Sequence, residues 1–468
     1  MTRFHVVGIG GTGMSAVARL LMAHGEVSGS DRGRWPLSEA LRAHGATVHD
    51  TFDASHIAGA DIVVRSSAYT EDNPEVAAAL ASGVTLWKRH DAWRFLAKGK
   101  RLVAVAGTHG KTTTTAMTWT ALQAASIDAS LICGAPLRDI KTNAHVGTSD
   151  VLVIEADEYD RVFHALTPTV AIVTNVDHDH VDLFPSRDDY MEAFRTFVGG
   201  IPRGGTLLAC ADDAGSLALA GEARTRLAGR TVHTYGTDAR ADWRASEPET
   251  IVLEGDRPRI DASRHPFAYG FDLKGPNTVT AHVGLNVPGV HNVRNAAAAF
   301  AAATVLGADA ERIRYGLMKF AGTSRRLEEL GRVDRITVVD DYAHHPVEIR
   351  AVIAAMRPRG LRVIALFQPH TASRLDAFFE EFVSALREAD AAVVAETFAS
   401  ARRDSDARGA SRELATRSGA AYARDPDEAA RLLADIAQPG DVVLILGAGD
   451  IRPAGERLLE LLRARTPA

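Results

Sequence analysis

Nine short apolar runs rich in β-branched residues punctuate the 468-residue chain, and they constrain its fold more than any other feature. They read FHVVGIG (4–10), DIVVRSS (61–67), RLVAVAG (101–107), VLVIEAD (151–157), VAIVTNV (170–176), ITVVDD (336–341), VIALFQP (363–369), AAVVAE (391–396) and VVLILGAG (442–449). Runs this continuous suit strands covered by helices on both faces, as in parallel sheets. Helical patterns such as SAVARLLMAHG (15–25) and DAFFEEFVSALREA (376–389) lie between them. The alternation predicts an α/β protein with right-handed crossovers.

At roughly 150 residues per domain, this length implies about three domains. Breaks near AKGKR (97–101) and AGTSR (321–325) divide the chain into 1–98, 99–322 and 323–468. Residues 205–285 carry scattered Gly and Pro and short alternating segments, and read as a smaller, partly antiparallel extension of the middle domain. Hydrophobic residues at 46% and charged residues at 24% support packed cores. A net charge of −6 argues against nucleic acid as the main partner. No run of about 20 apolar residues is present to span a membrane, and the Ala-rich 296–308 reads as a buried helix. The segment FHVVGIGGTGMSAVARLLMA after Arg3 resembles a signal peptide only faintly, because glycines interrupt its apolar core. With two cysteines, Cys133 and Cys210, the expectation is a cytoplasmic protein with free thiols.

Two glycine loops follow strands. Gly8, Gly10 and Gly13 form G-x-G-x-x-G between a strand and the helix MSAVARLL, the setting of a Rossmann turn with phosphate at the helix N-terminus. Asp31 lies 18 residues after Gly13, where an acid would meet a ribose. An NAD(P)-binding dehydrogenase therefore stands as one reading, and a ligand-free βα turn as another. The second loop, GTHGKTTTT (107–115), departs from the Walker pattern, since Val105 stands where its first glycine belongs. Its place between strand and helix still lets backbone N–H groups cradle phosphates. Lys111 can reach β/γ-phosphates and Thr112 can hold Mg²⁺.

Three later clusters strengthen the nucleotide reading. EADEYD places Glu155, Asp157, Glu158 and Asp160 at a strand end, where carboxylates suit Mg²⁺. TNVDHDHVD sets His178 and His180 among Asp177, Asp179 and Asp182, dense enough for metal or substrate contact. PGVHNVRNAAAAF sets Asn292 and Asn295 one helical turn apart, able to read a base edge or simply to cap a helix.

GTHGKTTTT, EADE, TNVDHDH, GVHNVRN, RRLE, DDYAHHP, FQPH and GAGDI occur in that order, and together they resemble the Mur ligase family of peptidoglycan synthesis. The resemblance spans Gly8 to Ile451. Within the family, GIGGTGMS, DDYAHHP and FQPH look most like the branch that joins L-alanine to UDP-N-acetylmuramate. EADEYD and the alanine of DDYAHH are shared with the branch that recycles a tripeptide onto the same sugar.

The resemblance implies a Rossmann-like N-terminal domain for the UDP-sugar, a central ATPase-type parallel sheet with a smaller extension, and a Rossmann-like C-terminal domain for the amino acid. It implies ATP and Mg²⁺, small-molecule substrates, a monomer or homodimer, and neither nucleic acid nor membrane as a partner. Gly8, Gly10, Gly11 and Gly13 are implied at the UDP pyrophosphate, with Asp31 and Ser66 or Ser67 near the uridine. Gly107, Thr108, His109, Gly110, Lys111, Thr112 and Thr113 are implied around the ATP phosphates. Thr112 and Glu155 would hold a first Mg²⁺, and His180 a second Mg²⁺ or an acyl phosphate. Asn292 and Asn295 are implied at adenine, Arg326 at the γ-phosphate and Asp341 at the ribose. Tyr342, His344 and Arg374 would face the amino acid. Lys111, Glu155, His180, Arg326 and His344 would carry the catalysis.

Some features depart from the family or narrow the branch. No lysine lies between Lys141 and Lys274 to serve as the carbamylated lysine of many relatives, which matches the alanine-adding branch. The family's FQPHRYTR reads FQPHTASR, so Thr371 replaces an arginine expected at the substrate carboxylate, and a YAAGE-like segment reads TFASARRDS (397–405). Arg402 and Arg403 in that segment are candidate replacement cations. A catalytically inactive family-like partner is a further reading, against which stand the retained Lys111, Thr112, Glu155 and His180.

Overall fold

The computed structural model describes every residue except Asp182, 251–268, 358–359, 399–408 and 466–468. Its strands fall into three sheets. The first holds β1 (Thr2–Val7), β2 (Gly25–Ser30), β3 (Thr47–His49), β4 (Ile62–Arg65) and β5 (Thr85–Lys88), all parallel in the order β3-β2-β1-β4-β5. The chain goes first one way from β1 and then the other, so the loop after β1 sits at the reversal point where open α/β sheets bind ligands.

The second sheet is the largest. It contains β6 (Arg101–Ala106), β7 (Ser130–Leu137), β8 (Thr142–His145), β9 (Val151–Glu155), β10 (Val170–Val173), β11 (Thr206–Cys210), β12 (Thr231–Gly236), β13 (Trp243–Ala245), β14 (Glu249–Thr250), β15 (Tyr269–Lys274) and β16 (Thr280–Leu285). The order runs β14-β15-β13-β12-β11-β10-β6-β9-β7-β8, with β16 on β15. From β13 back to β7 the pairing is parallel. Antiparallel pairing is confined to the two edges, β7–β8 on one side and β13–β15 and beyond on the other, so β11 and β12 continue the main parallel sheet where the sequence predicted a partly antiparallel extension. β6 lies between β9 and β10, which again puts a glycine loop at a reversal point.

The third sheet orders β17 (Glu328–Val333), β18 (Ile336–Asp341), β22 (Val442–Leu446), β19 (Val363–Phe367), β20 (Ala391–Ala395) and β21 (Ala421–Ala423), parallel apart from the β17–β18 hairpin. The fold is α/β in three domains, as the strand alternation predicts.

The cores follow the strand chemistry. β6, β9, β10 and β11 are almost wholly buried, and the helix Val290–Val305 packs its alanines over one face of their sheet. The helix Lys111–Ala124 opens with four buried threonines, poor helix formers on account of their branched Cβ. Burial overrides propensity there, and Thr118 Oγ1 donates back to the Thr114 carbonyl at 2.7 Å. The predicted helix at 376–389 is broken at Phe378, whose ring packs 4.8 Å from that of His345. Cys133 and Cys210 are both buried free thiols.

Candidate active site

The loop after β6 owes its glycines to what closes on it. A Cβ on Gly107 would lie 1.9 Å from Thr174 Oγ1, and one on Gly110 would lie 2.9 Å from Asn295 Oδ1. Both glycines have positive φ, 137° and 79°. Position 105, by contrast, is an interior strand residue with no such demand. The segment after β10 pins the loop: Thr174 Oγ1 donates to the His109 carbonyl at 2.6 Å, His109 N–H to Asn175 Oδ1 at 2.8 Å, and Thr108 Oγ1 to the Asp177 carbonyl at 2.7 Å. Lys111 Nζ donates to the carbonyls of Gly107 and Thr108 at 2.6 and 3.1 Å and pairs with Glu158 at 2.8 Å.

The acidic strand end after β9 divides its work. Thr112 Oγ1 donates to Glu155 Oε1 at 2.9 Å, and Gly134 N–H donates to Oε2 at 2.6 Å. Burial pushes the Glu155 carboxyl up despite nearby Lys111. A half-buried carboxylate beside a threonine hydroxyl is a hard oxygen set that fits Mg²⁺. Asp157 pairs with Arg89, whereas Asp160 is exposed. His180, at φ 51°, lies 3.4 Å from Glu158 Oε1; burial lowers its pKa, but Glu158 and Asp179 raise it above the ordinary value. His178 binds the Phe184 carbonyl at 2.8 Å and is structural, and Asp182 lies outside the described residues.

These residues border a chain of three confluent cavities. One, about 300 Å³, takes in His109, Gly110, Thr112, Thr113, Asn292, Asn295, Arg326 and Asp341. Asn292 Nδ2 donates to the Pro288 carbonyl and Asn295 Nδ2 to Asn292 Oδ1, which fixes both amides. Burial pushes Asp341 up to about 6 although it accepts N–H bonds from Leu327 and Ala343. The middle cavity, about 510 Å³, gathers Thr108, Lys111, Glu155, Glu158, Asp179, His180, Tyr342 and His344. It shares Thr112, Arg326 and Glu348 with the first. The third, about 580 Å³, is lined by Gly8, Gly10, Gly11, Gly13, Asp31, Ser66 and Ser67, and meets the middle one at Thr12, Gly13, Arg89 and Asp157.

Two predicted residues have partners of their own. The Asp31 carboxylate accepts Gly10 N–H at 2.8 Å, Arg32 N–H at 2.7 Å and Tyr69 O–H at 3.2 Å, so it shapes the first glycine loop. Arg374 lies beside the middle cavity in a buried fork on Asp179, with nitrogen–oxygen distances of 3.0–3.1 Å. Thr371, at φ 71°, caps the helix that carries Arg374. Arg402 and Arg403 lie outside the described residues.

Sequence reasoning missed Glu348. It accepts His344 N–H at 3.0 Å and stands 3.3 Å from Arg326 Nη1 and 3.5 Å from His109 Nδ1. Burial opposes its charge, yet His344, His109 and Arg326 hold it well below the usual carboxylate range. Its signal was its place four residues after His344, on the first turn of the helix Pro346–Met356. Burial also lowers His344 to about 3 and His291 to about 4. Arg89, Trp35, Tyr69 and Tyr159 around the third cavity were likewise unforeseen, since each comes from a separate loop or helix.

Comparison with known proteins agrees with this layout. Residues 3–101 match the model of the Mur ligase family catalytic domain, 105–303 the Mur ligase middle domain, and 325–449 the Mur ligase glutamate ligase domain. The chain is 41% identical over 491 residues to a UDP-N-acetylmuramate–L-alanine ligase of Chloroflexus aggregans, covering 100% of both chains. It is 41% identical over 480 residues to the ligase of the same description from Kineococcus radiotolerans, covering 99% of this chain and 97% of that one. Among solved structures it resembles the UDP-N-acetylmuramate–alanine ligase of Thermotoga maritima, with 25% identity, full coverage of both and a TM-score of 0.79. It also resembles a murein peptide ligase of Psychrobacter arcticus, with 25% identity, full coverage of both and a TM-score of 0.71. With family models matching along most of its length, the chain belongs to the Mur ligase family.

Proposed function

We propose that this protein joins L-alanine to the carboxylate of UDP-N-acetylmuramate at the expense of ATP, a cytoplasmic step in making peptidoglycan precursors. The observation that carries the reading is the confluence of the three cavities, with Lys111, Glu155 and His180 bordering the middle one. We assign 1–98 to the UDP-sugar, 99–322 to ATP and 323–468 to the amino acid.

A carboxylate is a poor acylating agent, and phosphorylation gives it a good leaving group. The muramyl carboxylate attacks the γ-phosphate of ATP, and the amine of L-alanine then attacks the acyl phosphate, giving amide, ADP and phosphate. The chain's part is positioning and charge neutralisation. Lys111 leaves Glu158 for the transferred phosphoryl group, and Arg326, which borders the first and middle cavities, meets the same group. Thr112 and Glu155 would hold Mg²⁺, which neutralises phosphate charge when bound; His180 lies toward the acyl phosphate. Asn292 and Asn295 sit at the base and Asp341 at the ribose. Tyr342, His344 and Arg374 surround the amino acid.

The test is phosphate release with UDP-N-acetylmuramate and, in turn, L-alanine, L-serine, glycine and the alanyl-glutamyl-diaminopimelate tripeptide. The expected result is the highest kcat/KM for L-alanine. Preference for the tripeptide would move the assignment to recycling, the reading that EADEYD and the alanine of DDYAHH keep open. With ¹⁸O in the muramyl carboxylate, label is expected in the released phosphate; unlabelled phosphate would exclude the acyl phosphate.

A further inference from the structure

Arg89 stands at the mouth between the third and middle cavities. It opens the helix Arg89–Ala97, and its guanidinium carbon lies 5.2 Å from the centre of the Trp93 ring. It crosses to the second sheet's acidic strand end, where Nη2 meets Asp157 Oδ2 at 2.9 Å. On its other side it lies against the first glycine loop. A Cβ on Gly13 would come within 3.1 Å of Arg89 Nη1, so the cation lies close against the last glycine of the G-x-G-x-x-G motif. The helix Thr12–Leu21 starts there with Gly11 as its N-cap and no side-chain cap. Its first turn and Arg89 thus line the same cavity.

We propose that Arg89 binds the pyrophosphate of the UDP-sugar and that Asp157 holds this cation until the substrate arrives. The inference rests on the UDP-sugar reading of the third cavity. A guanidinium fork matches phosphate and carboxylate oxygens alike, so the incoming diphosphate and Asp157 compete for one set of donors. The exchange frees Asp157 at the entrance to the middle cavity.

The test measures binding of UDP-N-acetylmuramate, UDP and an ATP analogue by calorimetry to the full-length protein. Wild-type binding of UDP-N-acetylmuramate establishes the underlying reading, and its absence would remove that reading rather than the role of Arg89. Given wild-type binding, Arg89→Met is expected to weaken UDP-N-acetylmuramate and UDP alike by at least tenfold and the ATP analogue by less than twofold, with Arg89→Lys recovering part of the loss. Asp157→Asn, which removes the competitor, is expected to bind UDP equally or more tightly. Weakening confined to UDP-N-acetylmuramate would show that Arg89 reads the sugar or its carboxylate and overturn the pyrophosphate role. Loss of UDP binding in Asp157→Asn as large as in Arg89→Met would make the pair a structural clasp and overturn the exchange. Unchanged binding in Arg89→Met would overturn the proposal outright. Thermal melts of each variant separate these results from unfolding.

Discussion

Arg374 and Asp179 form a bidentate ion pair that ties the third sheet to the second, with Nε and Nη2 of the arginine 3.0–3.1 Å from the carboxylate oxygens. Asp179 follows β10 and Arg374 follows β19, and both side chains are buried. The guanidinium holds Asp179 far below the ordinary carboxylate range against the effect of burial.

We predict that Arg374→Met destabilises the protein by roughly 3–5 kcal/mol, because it strands a buried charge. Arg374→Met with Asp179→Leu should recover most of that stability. If Arg374 also receives the L-alanine carboxylate, the double variant should still show an L-alanine KM raised at least tenfold. Denaturant melts and steady-state kinetics check both; a normal KM in a stable double variant would confine Arg374 to the clasp.

Lys111 should matter to turnover and little to sugar-nucleotide binding. Its ammonium borders the middle cavity, whereas the third cavity belongs to the first glycine loop. Lys111→Ala is predicted to lower kcat at least a hundredfold, the scale expected of a group that stabilises a transferring phosphoryl. The Kd for UDP-N-acetylmuramate should change less than threefold. Near-normal turnover would remove the phosphate-loop assignment.

His109 predicts a pH effect on stability. Burial lowers its pKa, but Asp177 and Glu348 overcome this and raise it to about 9. A histidine raised from about 6.5 to about 9 stabilises the fold fully below pH 6.5, and the contribution disappears as pH climbs through 9. The upper limit is roughly 3 kcal/mol, at about 1.36 kcal/mol per unit. His109→Gln should flatten the loss of Tm between pH 6.5 and 9.5, measured without nucleotide. An equally steep loss in the variant would refute this origin.

Thr371 offers a gain-of-function test. A β-branched residue at φ 71° is an unfavourable choice, and its cap bond to Arg374 N–H is long, at 3.4 Å. Replacing it should therefore cost little, about 1 kcal/mol at most. An added arginine-to-carboxylate contact is worth roughly 1.5–3 kcal/mol, or about tenfold to a hundredfold in affinity. Thr371→Arg is predicted to lower the L-alanine KM at least tenfold with Tm nearly unchanged. No change in KM would mean that another cation already serves the carboxylate.

Much of this was legible because local chemistry governs it. Runs apolar on both faces leave a strand little choice but the interior of a parallel sheet, so the nine runs predicted the α/β class. A glycine loop between strand and helix declares itself in sequence because only glycine tolerates the backbone and the close approach found at Gly107 and Gly110. The motif order then marked Lys111, Thr112, Glu155, His180, Asn292, Asn295 and Arg326, and these do border confluent cavities.

What the chain's pattern could not specify is how partners separated by tens to hundreds of residues share one charge. Glu348 looks like any acid on a first helical turn until Arg326 and His109 close on it. Arg89 looks like a surface residue until Gly13 and Asp157 meet it. Asp31 carries the position of a ribose ligand, yet it hydrogen-bonds Gly10 N–H. Arg374 carries the position of a substrate ligand, yet it holds Asp179. The sequence by itself determined strands, loops and the kinds of side chain at their ends, since those depend on neighbours a few residues away. The tertiary structure decided which of those side chains neutralise one another, because ion pairing falls off within a few ångströms and only folding sets those distances.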